Sequence, residues 1–370
     1  MISSTRGIAP AANPLLSGNV RQQFTSTVKG TTMNRHLYGA LIVVLLASCV
    51  SAPSDAQDKP SGNDGGGLGG RAIPAKTGSV SEVFRVAKPE MLMLLSHDGK
   101  HLRPLCDVPS HPTIGSPALS PAGDVIACDG NRPGTSYEGT ELLMMKADGT
   151  DVECLGNGAM PSWSVDGKRL AFSCNAPRGV WVLDLTTKKR ELIDKEGWGI
   201  QWSPDGRYWA YSRGGSLIVK NVATGEVHEQ NSTIGDSQPF WGWNMAWSPD
   251  SRSLCGVVQL RNGQTAVVVQ SLQLPEAEEG ADRVGIRLLS VGRENNRDVA
   301  WHPSGHRIVF TAFSAPTGRF QMFEFDPSKD AIPSLVAGQT VTNNFDQCWS
   351  ADGKTLVYIA HFNVDEAEHP

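Results

Sequence analysis

Six eleven-residue segments of this chain align with one another without gaps, and this repeat constrains the fold more than any other feature. Each segment has a large apolar residue, a polar turn and then alternating apolar positions. The segments are ALSPAGDVIAC from Ala118, SWSVDGKRLAF from Ser162, QWSPDGRYWAY from Gln201, AWSPDSRSLCG from Ala246, AWHPSGHRIVF from Ala300 and CWSADGKTLVY from Cys348. The second positions, here called anchors, are Leu119, Trp163, Trp202, Trp247, Trp301 and Trp349. Their separations of 39 to 54 residues predict a repeat architecture.

Each repeat contains two hairpin signals. An Asp-Gly turn between two apolar runs is typical of a tight hairpin, because Asp and Gly accept the dihedral angles that such turns need. A second hairpin follows the anchor segment, for example at residues 141–155, 179–193, 216–230 and 319–336. Four short antiparallel strands per repeat are typical of a propeller blade.

The last repeat lacks its second hairpin, and a hairpin without an anchor occurs at residues 90–105. N-terminal strands that complete the last blade would leave no unpaired strand edge. The sequence therefore predicts an all-β fold, a six-bladed β-propeller over residues 90–361. We expect four antiparallel strands per blade, a last blade closed by the N-terminal strands, and a C-terminal tail at 362–370.

The W-S-P-D-G pattern, followed by a basic residue and an apolar run, resembles the WD40-like (PD40) repeat of TolB-like six-bladed propellers. Residues 163–172, 202–211 and 349–358 match that repeat most closely. The resemblance implies a periplasmic interaction module that works in cell-envelope complexes. TolB itself carries an α/β domain before its propeller, and residues 50–89 are too few and too polar to supply one.

The segment before the propeller predicts export. Residues 37–47 form an uncharged apolar run that is too short for a membrane span and typical of a signal peptide. The following Leu46-Ala47-Ser48-Cys49 resembles the lipobox of bacterial lipoproteins, which implies cleavage before Cys49 and acylation of that cysteine. The alternative is ordinary signal cleavage after Ala56, which leaves a soluble exported protein.

We interpret residues 33–48 as the signal peptide, with Met33 as the start. Residues 1–32 are then an extension outside the mature protein, although their basic, Ser- and Thr-rich composition also fits a transit peptide. Residues 49–89 are rich in Ser, Pro, Gly and Asp and predict a flexible linker. The membrane is therefore expected to be a partner only through the lipid anchor.

Composition and motifs argue against several classes of function. The formal net charge is −5, so the chain has no overall attraction to nucleic acid. The chain contains no G-x-S-x-G nucleophile elbow. Its histidines are scattered over different blades and no CxxC pair occurs, so neither a metal site nor a cofactor is expected. The six cysteines after Cys49 fit up to three disulfides or buried thiols, and no pairing is predicted.

Alternating strand directions divide the propeller into two faces. All Asp-Gly turns lie on one face, the turn face, and the loops between hairpins and between blades lie on the other, the long-loop face. The long, varied segments of the long-loop face are 129–141, 231–245, 290–298 and 338–346. Variable loops on a rigid scaffold are the usual location of function.

Two groups of residues on the long-loop face are candidates for binding a partner. The cationic group is Arg132, Arg178, Arg213, Arg261, Arg319 and, in the sixth blade, His361. Turned inward, these side chains would ring the channel mouth and favour an anionic ligand; turned sideways, they pair with acidic residues such as Asp194. The aromatic group is Trp198, Phe240, Trp241 and Trp243. It predicts either an exposed partner contact or packing between blades.

Because no catalytic motif is found, the sequence predicts a non-enzymatic binding platform that takes an envelope protein or peptide on the long-loop face. The alternative is a propeller lyase or hydrolase that acts on an acidic carbohydrate. An enzyme should bring inward-pointing His, Arg and acidic side chains together at the channel mouth, whereas a binder should present an apolar patch. The anchor tryptophans are expected in the core. The recurring Asp166, Asp205, Asp250 and Asp352 are expected to form turns.

Overall fold

The computed structural model describes residues 71–72, 90–274, 285–291, 296–329 and 332–362, which all belong to one compact unit. Within these residues the only helical element is a 3-10 turn, Tyr137–Gly139. No helix of this part of the chain is both long and apolar enough to span a bilayer. The predicted signal peptide, Cys49, most of the linker and the C-terminal tail from residue 363 lie outside the described residues.

Six antiparallel sheets form the six blades of a β-propeller. The first strands in the chain are β1 (Arg71–Ala72), β2 (Glu90–Ser96) and β3 (Leu102–Asp107). Blade 1 is β4 (Thr113–Leu119), β5 (Val125–Asn131), β6 (Glu141–Lys146) and β7 (Glu153–Asn157). Blade 2 is β8 (Ala159–Trp163), β9 (Arg169–Asn175), β10 (Arg178–Asp184) and β11 (Arg190–Asp194). Blade 3 is β12 (Gly197–Trp202), β13 (Tyr208–Arg213), β14 (Ser216–Asn221) and β15 (Val227–Gln230). Blade 4 is β16 (Phe240–Trp247), β17 (Ser253–Gln259), β18 (Thr265–Ser271) and β19 (Ile286–Val291). Blade 5 is β20 (Arg297–Trp301), β21 (Ile308–Ser314), β22 (Arg319–Phe325) and β23 (Ser334–Leu335), and blade 6 begins with β24 (Asn343–Trp349) and β25 (Thr355–His361).

Blade 6 is completed by strands from the beginning of the described chain. β25 pairs with β2 along its length, from His361 opposite Glu90 to Thr355 opposite Ser96. The order of this sheet is β1-β3-β2-β25-β24. The predicted six blades, the antiparallel strands and the closure are therefore confirmed. The pairing of β1 with β3, with Arg71 opposite Asp107, adds a fifth strand that the repeat did not predict.

The turns that follow the anchors are held by hydrogen bonds that their own residues supply. In blade 2, Ser164 Oγ donates to Asp166 Oδ1 over 2.6 Å, and the Lys168 N–H donates to the same carboxylate. The same serine–aspartate bond occurs at Ser203–Asp205, Ser248–Asp250 and Ser350–Asp352. The recurring aspartates are confirmed as turn formers.

The anchor tryptophans pack between neighbouring blades. Trp202 and Trp247 are buried, and Trp163 is partly buried. Trp163 Nε1 donates to the Ala118 carbonyl of blade 1 over 2.9 Å, and Trp247 Nε1 donates to the Gln201 carbonyl of blade 3 over 3.2 Å. The indoles of Trp163 and Trp247 therefore join their blades to the preceding ones, whereas that of Trp202 donates to the Gly206 carbonyl of its own turn. Truncation of a packed tryptophan to alanine typically costs about 3–5 kcal/mol.

The first strand of each blade faces the centre of the ring and carries a β-bulge. These six strands contact one another in sequence, from β4 through β8, β12, β16 and β20 to β24 and back to β4. In every blade the ladder shifts register a few residues before the anchor. The residues three positions before the anchors are Ser116, Met160, Gly199, Asn244, Asp298 and Asp346. Such bulges redirect side chains, and here they bring residues of different blades together.

Candidate functional site

Three carboxyl groups from three blades form one group, the carboxylate cluster: Asp298 and Asp346 lie at bulges of β20 and β24, and Asp129 lies in β5. The Asp346 N–H donates to Asp298 Oδ2 over 3.0 Å. Gly115 lies between Asp129 and Asp346. A Cβ at this position would stand 2.9 Å from Asp129 Oδ1 and 3.1 Å from Asp346 Oδ2. The cluster thus links blades 1, 5 and 6 at the centre of the ring.

Burial controls the protonation of this cluster. Loss of hydration raises the pKa of Asp129 to about 6, although the Met160 N–H and the Ser116 hydroxyl oppose the change. Burial also raises the pKa of Asp298 and that of Asp346, and the charges of Asp298 and Asp129 raise the pKa of Asp346 further. Two carboxyl groups in contact titrate as a pair, so the raised pKa values of Asp298 and Asp346 belong to the pair and not to either residue alone.

Polar groups around the cluster hold it in place. Met160 N–H donates to Asp129 Oδ2 over 2.7 Å. The Asn244 side-chain amide donates to Asp298 Oδ1, and Gln347 Nε2 donates to the Asp298 carbonyl over 2.8 Å. These bonds come from blades 2, 4 and 6, so the position of the carboxyl groups depends on the assembled ring.

The residues four positions before the anchors lie one residue nearer the long-loop face than Asp298 and Asp346, and they surround the channel mouth. They are Gly115, Ala159, Trp198, Trp243, Arg297 and Phe345. Blades 3 to 6 thus contribute three aromatic rings and one guanidinium, and blades 1 and 2 contribute small residues. We call these six residues the rim.

The loop of blade 1 reaches over the rim. Asn175 Nδ2 of blade 2 donates to the Tyr137 carbonyl over 3.2 Å, and the rings of Tyr137 and Trp198 lie 6.2 Å apart. Burial, then the charges of Asp129 and Asp346, raise the pKa of Tyr137. Tyr137 is nevertheless 46% exposed, so part of its ring remains open to a partner.

Blades 5 and 6 contribute a second aromatic group to the same face. The Arg297 guanidinium lies over Phe320 at 4.7 Å and over Phe345 at 5.7 Å. The rings of Phe313 and Phe320 are 5.7 Å apart, and those of Phe345 and His361 are 5.3 Å apart. Of these residues the sequence predicted only His361. Extending the repeat alignment four residues upstream would have shown Arg297 and Phe345 in one register.

The predicted cationic residues do not converge on one point. Arg132 pairs with Glu141 at 2.6 Å, Arg213 pairs with Asp194 at 3.1 Å, and His361 pairs with Glu90 at 2.9 Å. Arg178 is exposed and lies over the Trp198 ring at 5.2 Å. Arg319 is partly buried at the start of β22. The Arg213–Asp194 pair is the sideways arrangement that the sequence left open.

The predicted aromatic segment of blade 4 is a strand and not a loop, because Phe240 and Trp241 of β16 pair with Gln259 and Val258 of β17. Aromatic residues favour strands, and alternation sends neighbouring side chains to opposite sides. Trp241 is 3% exposed and lies in the core, whereas Phe240 is 51% and Trp243 41% exposed. Trp198 is also buried. Phe240 and Trp243 are thus the members of the predicted group that offer surface to a partner.

Phe240 and Arg261 share a shallow cleft of about 350 Å³. Its lining residues are Asp236, Ser237, Gln238, Phe240, Gln259, Leu260 and Arg261. The cleft lies on the long-loop face, so it extends the rim outward along blade 4.

Among the described residues, one group of side chains has the composition of a metal site and donor atoms close enough together to hold an ion. It consists of His111, Glu141 and Cys154, whose donor atoms all lie within 4.8 Å of one another. All six described cysteines, Cys154 included, are free.

Comparisons with known proteins support the fold. No family model and no curated protein sequence matches this chain. The putative TolB from Agrobacterium tumefaciens aligns with 18% identity and a TM-score of 0.56, over 75% of this chain and 100% of that one. The chain has a TolB-like propeller fold. A chain of the nidogen/laminin complex aligns with 10% identity and a TM-score of 0.50, over 73% of this chain and 98% of that one.

TolB from Acinetobacter baumannii aligns with 17% identity and a TM-score of 0.49, over 73% of this chain and 63% of that one. At identities this low, the similarity of this TolB-like propeller to solved structures concerns the fold alone. Its function has to be argued from the residues of the rim and the carboxylate cluster.

Proposed function

We propose that this chain is an exported, non-catalytic binding platform, anchored to the membrane through acylated Cys49, that takes a protein or peptide at the rim. One observation supports this above all: aromatic side chains lie exposed on one face of a rigid ring. Trp243, Phe240 and Tyr137 are all more than 40% exposed on that face. Exposed aromatic rings that rigid strands hold in place are the usual anchors of protein interfaces.

The charges at the mouth favour a peptide over a simple anion. Arg178 and Arg297 lie near the long-loop face, where a partner's carboxylates would meet them. Deeper in the ring the carboxylate cluster favours a cationic group, such as a lysine side chain or an amino terminus. An anionic ligand that entered the channel would approach these carboxyl groups. A polypeptide segment presents apolar, acidic and basic groups together, and therefore suits the mixed surface.

A photo-crosslinking amino acid placed at position 243 tests the proposal in envelope extracts. The matched control carries it at Val165, which is 50% exposed but lies on the turn face. We expect a discrete adduct from position 243 and none from 165. Equal adducts from both positions, or an adduct from 165 alone, would contradict binding at the rim.

The arginines are tested separately with the triple variant Arg178→Ala, Arg213→Ala and Arg261→Ala. Loss of the adduct from position 243 in this variant would show that the arginines, as well as the aromatic rings, contribute to binding of the partner. An unchanged adduct would remove the arginines from the proposal and leave the aromatic rim.

A second candidate function, a lyase or hydrolase for acidic carbohydrates, is favoured by the raised pKa values of the buried carboxyl groups in the carboxylate cluster. A carboxyl group that is protonated near neutral pH is suited to act as a general acid. In that case Asp346→Asn should abolish turnover of uronic-acid oligosaccharides, and Asp166→Asn, which changes a turn aspartate, should leave turnover intact. Absence of turnover in the wild-type protein would dismiss this candidate.

A further inference from the structure

A second cluster of functional groups lies at the junction of blade 6 and blade 1. His111 belongs to the connection from β3 to β4, Glu141 is the first residue of β6, and Cys154 lies in β7. From these three residues we propose a zinc site that bridges the closing strands and blade 1. The proposal does not depend on the rim, and no part of it requires a bound partner.

The three donor atoms already lie close together. His111 Nε2 is 2.8 Å from Glu141 Oε2, and all three donor atoms are within 4.8 Å of one another. Zinc bonds to nitrogen, oxygen and sulfur are about 2.0–2.3 Å long, so tetrahedral ligand atoms stand roughly 3.3–3.8 Å apart. Closing the longest separation needs a movement of about 1 Å, which a change in side-chain torsion at Glu141 or Cys154 supplies.

The histidine is oriented as a ligand should be. Its side chain is completely buried, and its Nδ1 lies 3.0 Å from Ser110 Oγ. A metal-bound histidine usually has its second ring nitrogen fixed by such a hydrogen bond, which selects the ring orientation and the tautomer. In the metal-free protein the Nε2–H donates to the Glu141 carboxylate; zinc binding uses the other tautomer, in which Nδ1–H donates to Ser110 Oγ and Nε2 offers its lone pair to the ion.

Arg132 completes the surroundings of the site. Its Nε lies 2.6 Å from Glu141 Oε2, the same oxygen that contacts His111. When the ion is bound, one carboxylate oxygen contacts zinc and the other keeps the arginine, which acts as an outer partner of the ligand. Zinc, one thiolate and one carboxylate sum to zero charge, so the arginine is left as a single cation at a partly exposed position.

The protons of the binding step balance. Burial raises the pKa of Cys154, so the thiol enters the reaction protonated and releases one proton to solvent when its sulfur binds zinc. When Nε2 of His111 binds the ion, the proton that it donates to Glu141 moves to Nδ1. The carboxylate of Glu141 is already ionised, since the His111 and Arg132 hydrogen bonds lower its pKa against the effect of burial.

The donor set selects the metal. A nitrogen, a carboxylate oxygen and a thiolate are the mixture that zinc accepts, whereas calcium and magnesium prefer oxygen ligands alone. Glu141 and Cys154 are partly exposed, so a water molecule can supply the fourth ligand. Because His111 lies in the connection that enters blade 1, the ion would stabilise the closure of the ring.

The test uses the purified full-length chain, stripped with a chelator and titrated with Zn²⁺ and Co²⁺. We expect one ion per chain, a thiolate-to-cobalt charge-transfer band, and a higher melting temperature with Zn²⁺. Cys154→Ser should lose the band and weaken Zn²⁺ binding by about 100-fold or more, as removal of a direct ligand exceeds the effect of an outer partner. Cys348→Ser, which changes a partly buried thiol of blade 6, should retain both.

Folding is checked independently of metal binding. His111 is buried, so His111→Asn would destabilise the metal-free chain if the fold needs the packed imidazole ring. Cys154→Ser and Glu141→Gln change partly exposed groups, and their metal-free melting temperatures should remain close to that of the wild type. Cobalt binding without a thiolate band, or Cys154→Ser with wild-type Zn²⁺ affinity, would overturn the proposal. Loss of the zinc site would leave crosslinking from position 243 unchanged.

Discussion

Replacement of Asp129 by asparagine should remove a pH dependence from the stability of the propeller. Burial raises the pKa of this carboxyl group from the ordinary value of 3.8 to about 6. Between these two values the folded protein binds a proton that the unfolded chain has already released. The stabilising effect is therefore fully present below pH 3.8 and is lost as the pH rises through 6.

The magnitude follows from the shift. One pKa unit corresponds to about 1.4 kcal/mol, so a shift of roughly two units corresponds to about 3 kcal/mol. About 2 kcal/mol of this falls between pH 4 and pH 7, where unfolding in urea is readily measured. Asparagine is neutral throughout, and its carbonyl oxygen can still accept the hydrogen bond from the Met160 N–H. From pH 4 to pH 7 the free energy of unfolding of Asp129→Asn should therefore fall by about 2 kcal/mol less than that of the wild type.

Two comparisons make the assay specific. Asp298 and Asp346 titrate in both proteins, but the charge of Asp129 also raises the pKa of Asp346, so the difference between the two profiles reports Asp129 together with its coupling to Asp346. Asp98→Asn is the control. The Ser96 hydroxyl and the Lys100 N–H lower the pKa of Asp98, so this carboxyl group makes the stability rise with pH instead of fall. Its contribution is present at neutral pH and is lost in acid. Superimposable profiles for the wild type and Asp129→Asn would refute the inference that Asp129 is protonated in the folded state at mildly acidic pH.

Three further predictions concern the rim and the anchor. Gly199→Ala and Gly225→Ala both place alanine at a positive φ, of 71° and 73° respectively. A Cβ at Gly199 would overlap the Trp243 carbonyl group, whereas a Cβ at Gly225 would meet open space. In urea unfolding we expect the free energy of unfolding to fall by about 1 kcal/mol for Gly225→Ala and by about 3 kcal/mol for Gly199→Ala. Equal decreases would contradict the close approach of β12 and β16. Trp198→Ala, which opens a buried site, should lower the melting temperature strongly, whereas Trp243→Ala should leave it nearly unchanged; the reverse order would contradict the assigned burial. Cys49→Ala should abolish labelling of the exported chain with a fatty-acid probe, and persistent labelling would place the lipid elsewhere.

The blades were predictable because each repeat carries its own signal. The serine and aspartate of a turn such as Ser164–Asp166 form their bonds within five residues, so no distant contact is needed to form the hairpin. The closure was predictable for a related reason. A hairpin without an anchor at residues 90–105 and an anchor without a second hairpin near His361 complement each other.

The site was harder to predict because its residues meet only through the assembled ring. Asp298 and Asp346 are 48 residues apart and approach each other because two bulges turn their side chains toward the centre. In the same way, sequence did not distinguish Trp241 from Trp243, because the bulge of β16 decides which ring is buried. Those pairings depend on register, which local sequence does not specify.

The potential metal ligands were missed for the same reason. His111 and Glu141 are separated by 30 residues and belong to different hairpins, so no ligand spacing appears in the sequence. The scattered histidines indicated no metal site when each was considered alone. The pairing of Leu143 with Cys154 in blade 1 is what places the thiol beside the carboxylate.

The central claim, that the rim is the partner-binding surface, is tested most directly by the affinity of the crosslinked partner for two matched variants. Trp243→Ala removes an exposed ring from the rim, and Val165→Ala removes an exposed apolar side chain from the turn face. We predict that Trp243→Ala weakens binding at least about tenfold, as an aromatic anchor should, and that Val165→Ala binds like the wild type. Wild-type affinity for Trp243→Ala together with weakened binding for Val165→Ala would contradict the account.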